Sequence, residues 1–161
     1  APAAPVSSSA APPSPSRVEI PGGYRTLGAG GVSAALPGGW TVRENDGVVT
    51  FHGPKNSGQS VVVSQTTVTD PVAALDGIGK DGLDEYTEIG VETVPYGAWR
   101  AADWEYTYVR SPGAVPMHGL TRYAAVDGRN AYLIAFTAQD LDWDRGAQAR
   151  RVFFATFRPA A

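Results

Sequence analysis

Between Ala101 and Val109 the chain alternates. Trp104, Tyr106 and Tyr108 occupy one set of positions, and Asp103, Glu105 and Thr107 the other. A period of two sends successive side chains to opposite faces of a strand. This stretch therefore predicts a strand with one aromatic face. Similar alternation recurs in three further pieces, roughly Thr87 to Val94, Gly119 to Val126 and Asn130 to Thr137, the last carrying Tyr132, Ile134 and Phe136. Towards the N-terminus, Val32, Ala34 and Leu36 alternate, and Pro37-Gly38-Gly39 turns the chain into Trp40 and Val42. "ENDG" (Glu44 to Gly47) is a hairpin signal, because Asn, Asp and Gly tolerate the positive φ of tight turns. "VVTFH" returns from it, "GPKNSG" turns again, and "QSVVVSQTTV" is the next strand. The unbroken Val61-Val62-Val63 predicts cover on both faces.

Two stretches follow a helical period instead. Asp70 is a good N-cap and Pro71 suits the first helical position. From there Val72, Leu75, Ile78 or Gly79, Leu83 and Tyr86 trace one apolar face. Gly77, Gly79 and Gly82 lie inside it, each costing about 1 kcal/mol against alanine, so a break near Lys80 to Gly82 is expected. The C-terminal stretch places Ala149, Val152, Phe153, Thr156 and Phe157 on one face, with Asp140 or Asp142 as cap and Pro159 as stop. The order is strands, helix, a meander of strands, helix. It predicts an α+β domain, an antiparallel β-sheet flanked by helices.

The aromatic row has two readings. It is the inside of the sheet, with hydroxyls finding partners at the rim, or it contributes to a groove for a glycan, lipid or peptide. A groove would draw on residues near strand ends, namely Tyr96, Trp99 and Tyr108. The Pro/Gly-rich loop "SPGAVPMHG" adds Met117 and His118 as candidate ligand contacts, beside Val115. Such a loop either offers an apolar tip or folds back on its own sheet.

Composition narrows the field. The first sixteen residues are Ala, Pro and Ser plus Val6, without charge or aromatic group. Such a segment cannot offset its ordering entropy by burial. Residues 1–23 are expected to be a Pro/Ala/Ser-rich disordered linker, left by removal of something upstream, and residues 24–161 a single domain. The linker lacks the basic start and apolar middle of a signal peptide. No apolar run reaches membrane-spanning length, so membrane attachment is expected only through a segment outside this chain. The net charge is −3 and the basic residues are scattered, which argues against a nucleic-acid partner.

Catalytic patterns are missing. Cysteine is absent, removing thiolate ligands and cysteine nucleophiles. His52 and His118 each precede a glycine at a strand end, and no G-x-S-x-G elbow accompanies them. "DLDWD" (Asp140, Asp142, Asp144) lacks the glycine and glutamate of a calcium loop, since Arg145 and Arg151 stand there. Its acids suit a helix start. "GAGG" (Gly28 to Gly31) is not a phosphate loop, and no cofactor pattern is complete.

"LPGGW", "GAWRAADWEYTY" and "ATFRP" occur together in this order. Over roughly Tyr24 to Pro159 the chain resembles extracytoplasmic domains of actinobacterial membrane proteins, some of them C-terminal to a serine/threonine kinase and others secreted or lipid-anchored. The resemblance implies a fold similar to the PsbP family and an extracytoplasmic location. It carries no functional residues over, and the chain has no H-R-D loop, D-F-G or strand lysine motif of its own. The expected function is a non-enzymatic sensor or binding module on a proline-rich tether, with a cell-wall, lipid or protein ligand. The alternative is an envelope protein carrying an apolar ligand between the sheet and the weak first helix.

Overall fold

The computed structural model describes residues 20–55, 57–79 and 83–159. Most of the expected linker lies outside these residues, as do Lys80 to Gly82, where the helix break was expected. Ten strands and two helices follow in the order β1 (Tyr24–Ala29), β2 (Val32–Pro37), β3 (Thr41–Asn45), β4 (Val48–His52), β5 (Ser60–Thr66), α1 (Pro71–Asp76), β6 (Asp84–Tyr96), β7 (Trp99–Val109), β8 (Met117–Ala125), β9 (Ala131–Gln139), α2 (Ala147–Thr156) and β10 (Arg158–Pro159). Short 3-10 turns at Asp140–Asp142 and Asp144–Gly146 join β9 to α2. Seven strands form an antiparallel sheet in the order β3-β4-β5-β9-β8-β7-β6, and β1, β2 and β10 form a smaller one. The α+β expectation holds.

Local chemistry explains the connections. In the β3–β4 hairpin Asp46 and Gly47 adopt φ of 52° and 82°, and the Gly47 N–H donates to Glu44 Oε2 at 2.7 Å. In the β8–β9 hairpin Asp127 Oδ1 accepts the backbone N–H groups of Arg129 (2.7 Å) and Asn130 (2.8 Å). Asp70 caps α1 as expected, Oδ2 accepting from the Ala73 N–H at 3.0 Å.

Register decides which side chains meet. Asp103 pairs with Arg122, Arg122 with Ile134, Ile134 with Val63, and Val63 with Val49. This row faces α2, where Phe51, Ile134 and Phe136 pack with Phe153, Phe154 and Phe157, and with Ala34 and Leu36 of β2. The Ala35 N–H donates to Thr156 Oγ1 at 2.8 Å, fixing α2 to the small sheet. One residue along, Trp104 pairs with Thr121 and Thr121 with Ala135, so these point the other way. There Ala102, Trp104, Tyr106, Tyr108, Met117 and Tyr123 pack around Leu75 of α1. Fully burying a leucine contributes about 1.5–3 kcal/mol, which holds so short a helix in place. The aromatic row is therefore interior: Trp104, Tyr106 and Tyr108 are 3%, 7% and 9% exposed.

Three expectations need correction. The first helix stops at Asp76, and Tyr86, assigned to its apolar face, lies in β6 instead. The ladder from β6 to β7 takes up the backbone from Asp84 onward, and Gly77 closes the helix by donating to Ala73 O at 3.0 Å. Neither Asp140 nor Asp142 caps α2, which starts after Gly146. Val62 is only half-buried, because α1 is too short to cover β5 as fully as α2 does.

Gly119 lies opposite Tyr106, and a Cβ there would stand 2.5 Å from the tyrosine Cζ. Gly119→Ala is expected to lower stability by about 1–3 kcal/mol through overpacking, read by chemical denaturation. A second prediction concerns Tyr96, whose hydroxyl donates to Phe154 O at 2.7 Å. Burial raises its pKa above the ordinary 10.0, against the opposing charge of Arg122. The native state holds the phenol neutral, so this stability is complete below pH 10.0 and falls as pH rises past it towards the folded value. Tyr96→Phe is expected to flatten the alkaline limb of a denaturation-versus-pH curve while costing about 1 kcal/mol at neutral pH.

Candidate functional site

The structure does not gather the five sequence-predicted contacts into one site. Tyr96 is buried beneath the Arg122 guanidinium, which stands 4.6 Å from its ring centroid. Tyr108 and Met117 are buried together on the α1 face. Met117 and His118 are not an exposed loop tip: they open β8 and are 5% and 7% exposed. The "SPGAVPMHG" loop keeps only its turn, where Val115 is 50% exposed, because ladder pairing with β7 and β9 draws the next residues into the sheet. Trp99 borders a sizeable cavity.

His118 has a different role from a surface histidine. Its Nδ1 lies 2.8 Å from Asp140 Oδ1 and its Nε2 lies 2.6 Å from Glu105 Oε2. The ring stacks on Trp143 at 3.9 Å, and the Arg150 guanidinium stands 3.7 Å from the same indole. Burial lowers the Arg150 pKa, and the charges of Glu105 and Asp144 oppose that shift. Next to this group, Arg122 forms a two-pronged pair with Asp103 at 2.7 and 2.9 Å and stands 3.9 Å from the Phe154 ring centroid. These polar side chains share the α2 face with the apolar core: Arg122 and His118 meet Asp103 and Glu105 of the neighbouring β7, and Arg150 donates to Trp143 O at 2.7 Å. The His118 nitrogens face carboxylates rather than a hydroxyl nucleophile. His52 is exposed at the end of β4. Among the described residues no three His, Asp or Glu side chains converge as metal ligands.

The cavity, of about 580 Å3, opens on the α2 face at the end that α2 leaves uncovered. Cross-strand pairing of Gln65 with Tyr132 brings β5 and β9 to its floor, Trp99 enters from the start of β7, and Gly30, Gly31 and Pro159 close the rim. Gly30 has φ of 56°, and a Cβ there would meet Val49 Cγ2 at 2.7 Å. Trp99 and Tyr132 meet Phe157 edge-to-face, at centroid distances of 6.2 and 5.7 Å. Gln65 Nε2 donates to Asn130 Oδ1 at 2.8 Å, and Asn130 Nδ2 donates to Asp127 Oδ2 at 2.9 Å. The Asn130 side chain and the two hairpin N–H groups hold the Asp127 carboxyl below the usual carboxylate range. Burial raises the Tyr132 phenol, helped by the nearby Asp127 charge. Gln65, Asp127 and Asn130 escaped the sequence reading as contacts. The "DGRN" turn was legible there, but its proximity to Gln65 depends on the non-local pairing of β5 with β9.

Fold and site together define a PsbP-like α+β domain without kinase machinery. Residues 28–159 match the family model described as the serine/threonine kinase C-terminal domain, and the chain belongs to that family. No curated protein matches the sequence. Three solved structures share the fold. The cyanobacterial PsbP (CyanoP) from Synechocystis has TM-score 0.57 at 17% identity, covering 88% of this chain and 98% of that one. LpqN of Mycobacterium tuberculosis, described as involved in cell envelope biogenesis, has TM-score 0.57 at 12% identity, covering 81% and 83%. The Saccharomyces cerevisiae Ran-binding protein Mog1p has TM-score 0.59 at 10% identity, covering 84% and 95%. The chain spans about half, 47%, of a further similar structure from Bacteroides thetaiotaomicron, with TM-score 0.58 at 16% identity.

His118→Ala removes two carboxylate contacts and the stack on Trp143. It is expected to cost about 1–3 kcal/mol, and to accelerate amide exchange over residues 140–146 more than over β9. Hydrogen exchange with mass spectrometry reads the difference.

Proposed function

We propose that this chain is the ligand-sensing part of a membrane serine/threonine kinase, held outside the cell by its proline-rich N-terminal segment. The observation that carries this reading is the cavity beside Trp99: an open hollow that pairs aromatic rings with hydrogen-bonding side chains and has no nucleophile–base pair in it. A C-terminal kinase domain without catalytic machinery suits a regulatory role. An external position is supported by three features: the Ala/Pro/Ser tether, the fold shared with LpqN, a protein of cell envelope biogenesis, and membership of the kinase C-terminal family. No helix among the described residues is long and apolar enough to cross a membrane, so the anchor is assigned to the parent chain. The alternative, a carrier of an apolar ligand, requires space between α1 and the sheet. Leu75 is 1% exposed there and packs directly on the aromatic row, which favours the sensor reading.

The absence of cysteine makes the placement simple to test. Lys55→Cys, on an exposed turn, is expected to react with a membrane-impermeant maleimide in intact cells that express the parent protein. Labelling only after lysis overturns the external placement. For binding, thermal-shift assays with soluble peptidoglycan fragments, envelope glycolipids and fatty acids are expected to raise Tm for one class. The shift is expected to be smaller in Gln65→Ala. No shift with any class overturns the small-ligand reading.

A further inference from the structure

We propose that the cavity beside Trp99 is a saccharide site, which takes the ring face and hydroxyls of a neutral sugar. This rests on reading the cavity as the ligand site and narrows it to one chemistry.

Trp99 and Tyr132 are half-buried, and both are wedged against the fully buried Phe157 at 83° and 74°. Their rings are already fixed, so binding a flat partner costs little side-chain entropy. The C–H face of a pyranose matches such a ring surface. Its hydroxyls, each a donor and an acceptor, need amide and carboxylate partners close by. Gln65 and Asn130 meet that need. Gln65 uses one amide N–H on Asn130, leaving its second N–H and its carbonyl oxygen for a ligand.

Charge and polarity exclude the competing chemistries. None of the lining residues is cationic, so a phosphate or carboxylate ligand finds no counter-charge. The one charged lining group, Asp127, already accepts the Asn130 amide and two backbone N–H groups, so its charge is satisfied within the hairpin. An acyl chain would cover Gln65 and Asp127 without returning hydrogen bonds, which carries a desolvation cost. The volume of about 580 Å3 lies within the roughly 300–1,000 Å3 of small-molecule sites.

The test is NMR titration of the full chain with chitotriose, cellotriose and maltotriose, following the four tryptophan indole resonances and the side-chain amide signals of Gln65 and Asn130, the Asn130 amide serving as reporter in both cavity variants. At least one sugar is expected to shift the Trp99 signal with a Kd of about 1 mM or tighter. Gln65→Ala, at an exposed position, and Trp99→Phe, which keeps the aromatic packing, are expected to weaken binding about tenfold. Leu141→Gln, at a residue 87% exposed and outside the cavity lining, is expected to bind as the unaltered chain does. Sugar binding that survives both Gln65→Ala and Trp99→Phe places it elsewhere and overturns the proposal. Choline or lysophosphatidylcholine shifting Trp99 where no sugar does also overturns it, yet leaves the cavity a ligand site. Silence from every probe overturns both.

Discussion

Shifting β7 by one residue against β8 would turn every β7 side chain to the opposite face of the main sheet, and the domain cannot tolerate that exchange. Side chains alternate with period two, so register alone chooses which set meets α1 and which meets α2. In the native register Trp104, Tyr106 and Tyr108 pack around Leu75, and Asp103 and Glu105 stand beside Arg122 and His118. A slip would press the carboxylates into the α1 core and leave Arg122 and His118 unpaired. Buried charges without partners cost several kcal/mol each. Gly119 reinforces the same register from the other face, because only glycine leaves room for the Tyr106 ring lying across it.

The α2 face is therefore of mixed character. Its centre is dry, built from Phe51, Phe136, Phe153 and Phe157. One flank carries the charge pairs of Arg122 and His118, whose planar groups stack on Phe154 and Trp143. Stacking lets these planar groups sit against apolar surface while their edges stay hydrogen-bonded to carboxylates. No buried side-chain nitrogen or oxygen among the described residues lacks a partner. The flank is polar yet satisfied, so it has little left to offer a ligand.

The other end differs because α2 is short. Ten residues cover about 15 Å, less than the span of the nine-residue β9 that it packs across. Beyond the helix the sheet face stays open, and there Gln65, Trp99 and Tyr132 keep both exposure and unspent hydrogen-bonding capacity. α1 covers part of one face and α2 most of the other, so the hollow lies where neither helix reaches. The fold itself recurs in proteins of less than 20% identity.

Much of this was written in local chemistry. The alternation in residues 101–109, the Asp70 cap and the "ENDG" and "DGRN" turns each depend on near neighbours, so the sequence by itself determined the strand meander, the hairpins and the α+β class. Tertiary structure decided the rest. The apolar face drawn from Val72 to Tyr86 ended at Asp76, and Tyr86 lies instead in β6, paired with β7, where its ring meets those of Trp104 and Tyr106. Met117 and His118 left their loop because both pair with β7 on one side and β9 on the other. Gln65, Asn130 and Trp99 share one cavity only because β5 pairs with β9, 65 residues further along the chain at the Gln65–Asn130 contact. Contacts between such distant residues have no local signal, since they arise from the summed register of strands that no single stretch of sequence contains.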